Sequence, residues 1–238
     1  MPVTIKYLTD HVTGFPPIEH ALEQPNGLLA IGGNLEVDTL IKAYQRGIFP
    51  WFNEGDPILW WSPSPRMVLL PGKLHISRSL RKLLRKELYQ VTFDYDFPSV
   101  IAACACGRRD SEGTWITNEM ITAYIALHNA GHAHSIEVWR ENKLVGGLYG
   151  VAQGRVFFAE SIFSRESNTS KIAMTALSEQ LAAWQFKLID CQVYSDHLNS
   201  LGANPITRTK FQDYLSQYCS RASFSAQWKQ EWQWNDLQ

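Results

Sequence analysis

Apolar side chains recur at helical spacing over residues 36–46, where Val37, Leu40, Ile41 and Tyr44 make one stripe and Gly47 stands at the stop. A second stripe, Leu80, Leu83, Leu84 and Leu88, predicts a helix over 77–88 with Ser77 as its cap. Met120, Ile121, Tyr124, Ile125 and Leu127 predict a third over 118–130, ended by Gly131, and Ile172, Ala173, Ala176, Leu177, Gln180 and Leu181 a fourth over 169–184. A last helix is expected over 208–217. Between the third and fourth helices the pattern changes. HSIEVWR (134–140), KLVGGLYGVAQ (143–153) and RVFFAESIF (155–163) read as strands, and the links between them, Glu141-Asn142 and Gly154, are short enough to force antiparallel neighbours. KLIDCQVYS (187–195) reads as a further, buried strand. Strand, helix and strand in succession need a crossover, so the expected fold is α/β (α+β) with a mixed, mostly antiparallel sheet flanked by helices.

The first 60 or so residues look different, being rich in Gly, Pro and aromatics, and prolines at 57, 63 and 65 mark a boundary. We expect a small N-terminal domain over 1–61 and a larger domain over 62–238, which suits a chain of 238 residues. Composition adds little beyond exclusion. Apolar residues at 45% and charged residues at 19% rule out disordered and low-complexity classes. No apolar run reaches the roughly 20 residues that span a bilayer, and the start lacks a signal peptide's basic and apolar regions, so no membrane partner and a cytoplasmic location are expected. Four cysteines are too few and too irregular for a disulfide framework. Cys104 and Cys106 with His132 and His134 could be assembled into a zinc set, but neither pair has the spacing of the usual structural sites, and no metal is expected.

Charge changes the picture only locally. With 22 basic and 23 acidic residues the net charge is −1, which advertises no polyanionic partner. Yet the helix over 77–88 carries Arg78, Arg81, Lys82, Arg85 and Lys86 opposite its leucine stripe, and no acid occurs between Lys73 and Lys86. A solvated face and a phosphate-binding face are both open readings of such one-signed charge.

The order of strands and helices after the boundary resembles the acyl-CoA N-acetyltransferase superfamily. Those enzymes cradle the coenzyme's pyrophosphate on a Gly-rich loop before the helix that here begins near 169. SRESNTSK (164–171) has no glycine, so a different acyl carrier is expected on an acetyltransferase-like (GNAT-type) scaffold. More specific motifs run through most of the chain: NGLLAIGG (26–33), AYQRGIFPWF (43–52), DPILWWSPSPR (56–66), LHISRS (74–79), EGTWIT (112–117), GHAHSIEVW (131–139), GGLYGVAQG (146–154), ESIFSR (160–165) and KLIDCQV (187–193). Together, and in this order, they resemble the leucyl/phenylalanyl-tRNA-protein transferase family. The resemblance implies transfer of Leu or Phe from aminoacyl-tRNA to the N-terminal Arg or Lys of a protein, marking it for degradation. It also implies no cofactor and no metal, with Leu-tRNA, Phe-tRNA and proteins with N-terminal Arg or Lys as partners. A monomer is the separate expectation, one that neither pattern nor resemblance decides.

That resemblance assigns candidate roles. Arg78, Arg81, Lys82, Arg85 and Lys86 become tRNA phosphate ligands. Trp51 and Trp115 match motifs that hold the 3′-terminal adenosine by stacking, although a core position is the competing reading of each. Leu148, Phe157, Met174, Leu177 and Ile189 match the apolar pocket for the aminoacyl side chain, and each could equally be plain core. Asp190 and Gln192 stand at i and i+2 in an otherwise apolar strand, which puts both on one face and makes them the catalytic candidates. Glu160, a second acid in an apolar strand, is the third catalytic candidate and is expected to help receive the cationic substrate terminus; strict alternation sets it on the face opposite Phe157 and Ser161, so all can share a site only if the strand is bulged or splayed. Whether Asp190 takes a proton from the incoming amine or only orients it is open at this point, as is a purely structural Asp190. Two rivals remain: a coenzyme A-dependent N-acyltransferase and a non-enzymatic tRNA-binding module, the latter leaving Asp190 and Gln192 unexplained.

Overall fold

A computed structural model describes residues 5–109, 116–219 and 228–235. In chain order the first elements are β1 (Lys6–Leu8), β2 (Leu28–Gly32), α1 (Val37–Tyr44), β3 (Phe49–Pro50) and β4 (Leu59–Trp61). There follow β5 (Arg66–Leu69), α2 (Arg78–Leu84), β6 (Gln90–Phe93), α3 (Phe97–Arg109), α4 (Asn118–Asn129), β7 (Ala133–Arg140), β8 (Lys143–Gln153) and β9 (Val156–Ser164). The chain continues through α5 (Thr169–Ala183), β10 (Leu188–Asp190), α6 (Asp196–Ser200), β11 (Asn204–Ile206), α7 (Arg208–Tyr218) and β12 (Gln230–Trp232).

Strands β1 to β4 form one sheet, ordered β1-β2-β4-β3. The other eight described strands form a second, ordered β11-β5-β10-β9-β8-β7-β6-β12, in which β9 and β10 are the one parallel pair. The mixed, mostly antiparallel sheet flanked by helices is therefore as expected, with α5 as the link between its parallel strands. Buried side chains divide into two clusters. One includes Leu40, Trp60, Val68, Phe158 and Phe211, so residues of both sheets and of α7 share it. The other packs Leu80 and Leu84 of α2 and the apolar stripe of α5 on the large sheet. Helix α7 also ties the N-terminal segment down, because Arg208 donates to the carbonyls of Ile18 at 2.7 Å and Ser62 at 3.0 Å. No described helix is long and apolar enough to cross a membrane.

Several elements differ from the sequence reading for identifiable reasons. Helix α2 ends at Leu84 rather than 88, because Glu87 takes φ +49 and its N–H closes on the Leu84 carbonyl; Leu88 is half-exposed beyond it. Helix α3 was not expected, since Val100, Ile101, Ala103, Cys104 and Ala105 are buried together and leave no readable stripe. Strands β1 to β6, β11 and β12 have two to five residues, too few for alternation to register. The strand expected over 187–195 stops at Asp190, and Gln192 has φ +63. The two residues are thus not placed by strand alternation.

The longest antiparallel ladder carries one defect. Tyr149 of β8 faces Ser161 of β9 and the next residue, Gly150, faces Ala159, so Glu160 is an extra residue in the bulged strand. The bulge foreseen as a condition is present. Gly150 is what allows it, since a Cβ there would sit 2.3 Å from the Phe158 carbonyl oxygen and 2.5 Å from the Phe157 ring. Gly150→Ala should therefore destabilise the protein by roughly 3 kcal/mol, at the high end for overpacking, because a backbone oxygen yields less than a side chain. The urea midpoint should fall with an unchanged slope; an unaltered midpoint would refute this account of the bulge.

Candidate active site

The bulge delivers four consecutive residues of β9, Ala159 to Ile162, to the wall of a cavity of about 300 Å³. Leu148 of β8 and Met174 of α5 line it beside Ala159, Ile162, Leu198 and Leu201, which makes most of the wall apolar. Gln192, Glu160 and Ser161 supply the polar part. Phe49, Pro50 and Trp51, from the first sheet's β3 and the residue after it, close one side. Trp51 is 44% exposed there, with its carbonyl held by the Trp61 indole N–H at 2.7 Å.

Gln192 links the polar groups. Its Nε2 donates to Glu160 Oε1 at 2.8 Å, and the Tyr124 hydroxyl donates to Glu160 Oε2 at 3.3 Å. The hydroxyls of Tyr44 and Tyr124 are hydrogen-bonded to each other behind it. Burial pushes the Glu160 carboxyl up to about 8, and the nearby Asp190 charge adds to the rise, while the tyrosine hydroxyls and Arg66 pull the other way. Ser161 Oγ is buried on the wall and has no hydrogen-bond partner among the described residues. Cys191 also lines the cavity, but burial pushes its thiol up, which leaves it a poor nucleophile.

Asp190 lies behind this wall. It is fully buried, and its two oxygens accept from Arg66 Nε at 2.8 Å and Nη2 at 2.7 Å. Oδ1 also accepts the Gln192 backbone N–H at 2.9 Å, so Asp190 meets the cavity through the turn that presents Gln192. The sequence reading had the pair side by side on one strand face; the positive φ at Gln192 puts the side chains in different surroundings instead. Arg66 and the two tyrosines were missed as site residues. Tyr44 and Tyr124 were legible only as members of apolar stripes, and Arg66 could have been found as a lone cation ahead of the apolar run MVLL.

The remaining candidates separate. Leu148, Met174, Phe157, Leu177 and Ile189 all belong to one buried cluster, yet only Leu148 and Met174 line the cavity. Arg78 and Lys82 are exposed on α2 and Arg81 is partly so, while Arg85 and Lys86 are exposed just past its end. The segment before α2 reaches the cavity's rim, where the His75 N–H donates to the Leu201 carbonyl at 2.8 Å. Trp115 lies outside the described residues. Cys104 is buried and Cys106 exposed, so they do not share a face of α3. One described cluster has metal-ligand composition: Asp94, His128 and His134, with ligand atoms within 4.8 Å of one another. None of the three lines the cavity, and their groups are hydrogen-bonded already, His134 Nδ1 to Asp94 at 2.7 Å and His128 Nδ1 to the Ala133 carbonyl at 2.7 Å.

Comparison with known proteins identifies the family. The family model for leucyl/phenylalanyl-tRNA protein transferase matches residues 68–216, and the model for that family's N-terminal domain matches 33–64. The chain belongs to the leucyl/phenylalanyl-tRNA protein transferase family. Among its relatives, the leucyl/phenylalanyl-tRNA–protein transferase of Pseudomonas fluorescens is 56% identical over 90% of this chain and 95% of its own. That of Cellvibrio japonicus is 55% identical over 90% of this chain and 91% of its own, and that of Methylococcus capsulatus 55% over 92% and 94%. A GCN5-related N-acetyltransferase from Kribbella flavida superposes with a TM-score of 0.38 at 12% identity, over 69% of this chain and 58% of that one, too slight a likeness to bear on the fold.

For this family member, Glu160 makes stability depend on pH. A carboxyl whose folded pKa lies near 8 and whose unfolded value lies near 4.5 binds its proton more tightly when folded. Its contribution is complete below pH 4.5 and is lost as pH rises toward 8 and above. Glu160→Gln removes that titration. The stability of the variant relative to wild type should therefore rise between pH 5 and pH 8 in parallel denaturant titrations, and a constant difference would remove the buried, protonatable Glu160.

Proposed function

We propose that this chain transfers Leu or Phe from its aminoacyl-tRNA to the α-amine of a protein that begins with Arg or Lys. The observation that carries the reading is the cavity in which an apolar wall, a Gln192–Glu160 hydrogen bond and an exposed tryptophan meet. In this reading Leu148 and Met174, with Ala159, Ile162, Leu198 and Leu201, receive the aminoacyl side chain. Leu and Phe share bulk and apolarity, which is what such a wall selects. Trp51 stacks on the terminal adenine, and the basic face of α2 holds phosphates further along the tRNA.

The chemistry asked of the polar centre is modest. An ester is a good acyl donor, and a free α-amine titrates at roughly 7.7 to 8.0, so part of it is neutral near pH 7. Placing that amine against the ester carbonyl supplies much of the rate. Gln192 orients the reacting groups, and Asp190 acts on the cavity through the backbone of Gln192 instead of touching the amine. Glu160 receives the acceptor's cationic terminus. Phe157, Leu177 and Ile189 support the pocket from behind its lining.

Incubation with Leu-tRNA or Phe-tRNA and a peptide with N-terminal Arg should yield a peptide heavier by one Leu or Phe residue. An unmodified peptide, with product appearing only from an acyl-coenzyme A donor, would replace this reading with its rival. Reversing the charge of Arg81, Lys82 and Arg85 should leave the fold intact and raise KM for aminoacyl-tRNA. The slope of log KM against log salt should flatten by roughly 0.7 to 0.9 for each phosphate that is no longer neutralised. A slope equal to wild type would take α2 out of the tRNA site.

A further inference from the structure

We infer that Arg66 is a positioning residue for the transfer reaction, acting through Asp190 on the turn that holds Gln192 against Glu160. The inference rests on reading the cavity as the transfer site, and it adds a residue outside that cavity. Arg66 is buried at the start of β5 and its guanidinium packs against two rings, Phe49 of β3 at 4.9 Å and Phe211 of α7 at 4.7 Å. Nη1 has no hydrogen-bond partner among the described residues, so direction comes from the fork to Asp190 and the two rings. A planar guanidinium paired to both carboxylate oxygens fixes the rotation of that carboxylate, which a point charge does not.

The fixed carboxylate then sets the turn. Asp190 Oδ1 holds the Gln192 N–H at 2.9 Å, and the Gln192 carbonyl accepts from the Met67 N–H at 3.1 Å, next to Arg66 in β5. Gln192 has φ +63, a conformation that a residue with a side chain keeps only where its surroundings over-determine it. Release of Asp190 would free one of those constraints, and the amide side chain would lose its register with Glu160. Stability alone is a weak reason for the ion pair, because buried pairs are commonly matched by apolar residues of similar volume. Geometry is what the charged fork provides and an apolar pair cannot.

Arg66→Lys keeps a cation beside Asp190 but removes the fork. The variant should fold, and kcat per folded molecule should fall about 10- to 100-fold, the scale of a misplacement of about 1 Å. KM for aminoacyl-tRNA and for the peptide should stay within about twofold. Phe211→Leu, at a position that neither lines the cavity nor touches Asp190, should lower kcat by a smaller factor. The double variant should be no slower than Arg66→Lys alone, since the ring acts through the guanidinium. Wild-type kcat in Arg66→Lys, or multiplying losses in the double variant, would overturn the inference. An activity-independent reading comes from amide hydrogen exchange: Arg66→Lys should lower protection of the Gln192 N–H while Ile189 keeps its own. Unchanged protection at Gln192 overturns the inference even if wild type transfers nothing, an outcome that would by itself sink only the proposed function.

Discussion

Arg66 and Asp190 bury two opposite charges between the sheets, and taking two ions out of water costs several kcal/mol each before anything is recovered. Recovery demands near-ideal geometry, so every element that sets this geometry is constrained by it. Strand β5 must pair with β10 to bring the two residues opposite each other's neighbours, as the Val68–Asp190 register does. The first sheet must sit where Phe49 meets the guanidinium, and α7 where Phe211 does. The N-terminal segment is therefore part of the ion pair's environment, and the same β3 end that brings Phe49 also brings Trp51 to the cavity. Gly47, at φ +70, shows how tight that junction is, since a Cβ there would lie 2.4 Å from the Phe211 ring.

A second buried acid is solved differently. Glu160 has no ion pair of its own among the described residues, and its place depends on the extra residue in β9 that breaks strand alternation. Without the bulge, residues 160 and 161 would face opposite sides of the sheet. With it, both reach the cavity, and Glu160 leans on neutral donors, the Tyr124 hydroxyl and the Gln192 amide. Neutral donors hold a carboxylate less firmly than a guanidinium does, which is why burial prevails and the group stays protonatable near neutrality. Two acids on neighbouring strands thus have different partners: Asp190 is forked to a guanidinium, and Glu160 is held by neutral donors.

Long periodic elements were legible in the sequence because burial on one side leaves a stripe or an alternation, as in α4, α5, β7, β8 and β9. Glu160, Asp190 and Gln192 stood out because polar residues in apolar strands need a reason. Their relations to one another were not legible, since these depend on a bulge whose mark, Gly150, lies on the partner strand among other glycines, and on a left-handed residue that is not a glycine. Arg66 was hidden for a related reason: its partner is 124 positions away, and only the β5–β10 pairing brings them together. Apolar pocket and apolar core cannot be separated by residue type. Leu148 and Met174 reach the cavity while Phe157, Leu177 and Ile189 do not, and that difference is one of side-chain direction in a shared cluster.

The division of labour that follows is one of charge. On the proposed function a basic helix and an apolar cavity hold a charged tRNA's phosphates and its acyl side chain, but neither distinguishes an acceptor whose first side chain is cationic from one whose first side chain is neutral. Glu160 can, because it is neutral over much of the range below pH 8 and ionises more readily when a cation approaches. In that reading a cationic side chain entering the cavity lowers the carboxyl's pKa and so creates the partner it binds, while a neutral first side chain gains nothing comparable. On the proposed function, that coupling would favour Arg or Lys, with acceptor binding expected to weaken as pH falls. Asp190 does not suit this task, since both of its oxygens already accept from Arg66; the inferred contribution is to hold the Gln192 turn beside Glu160.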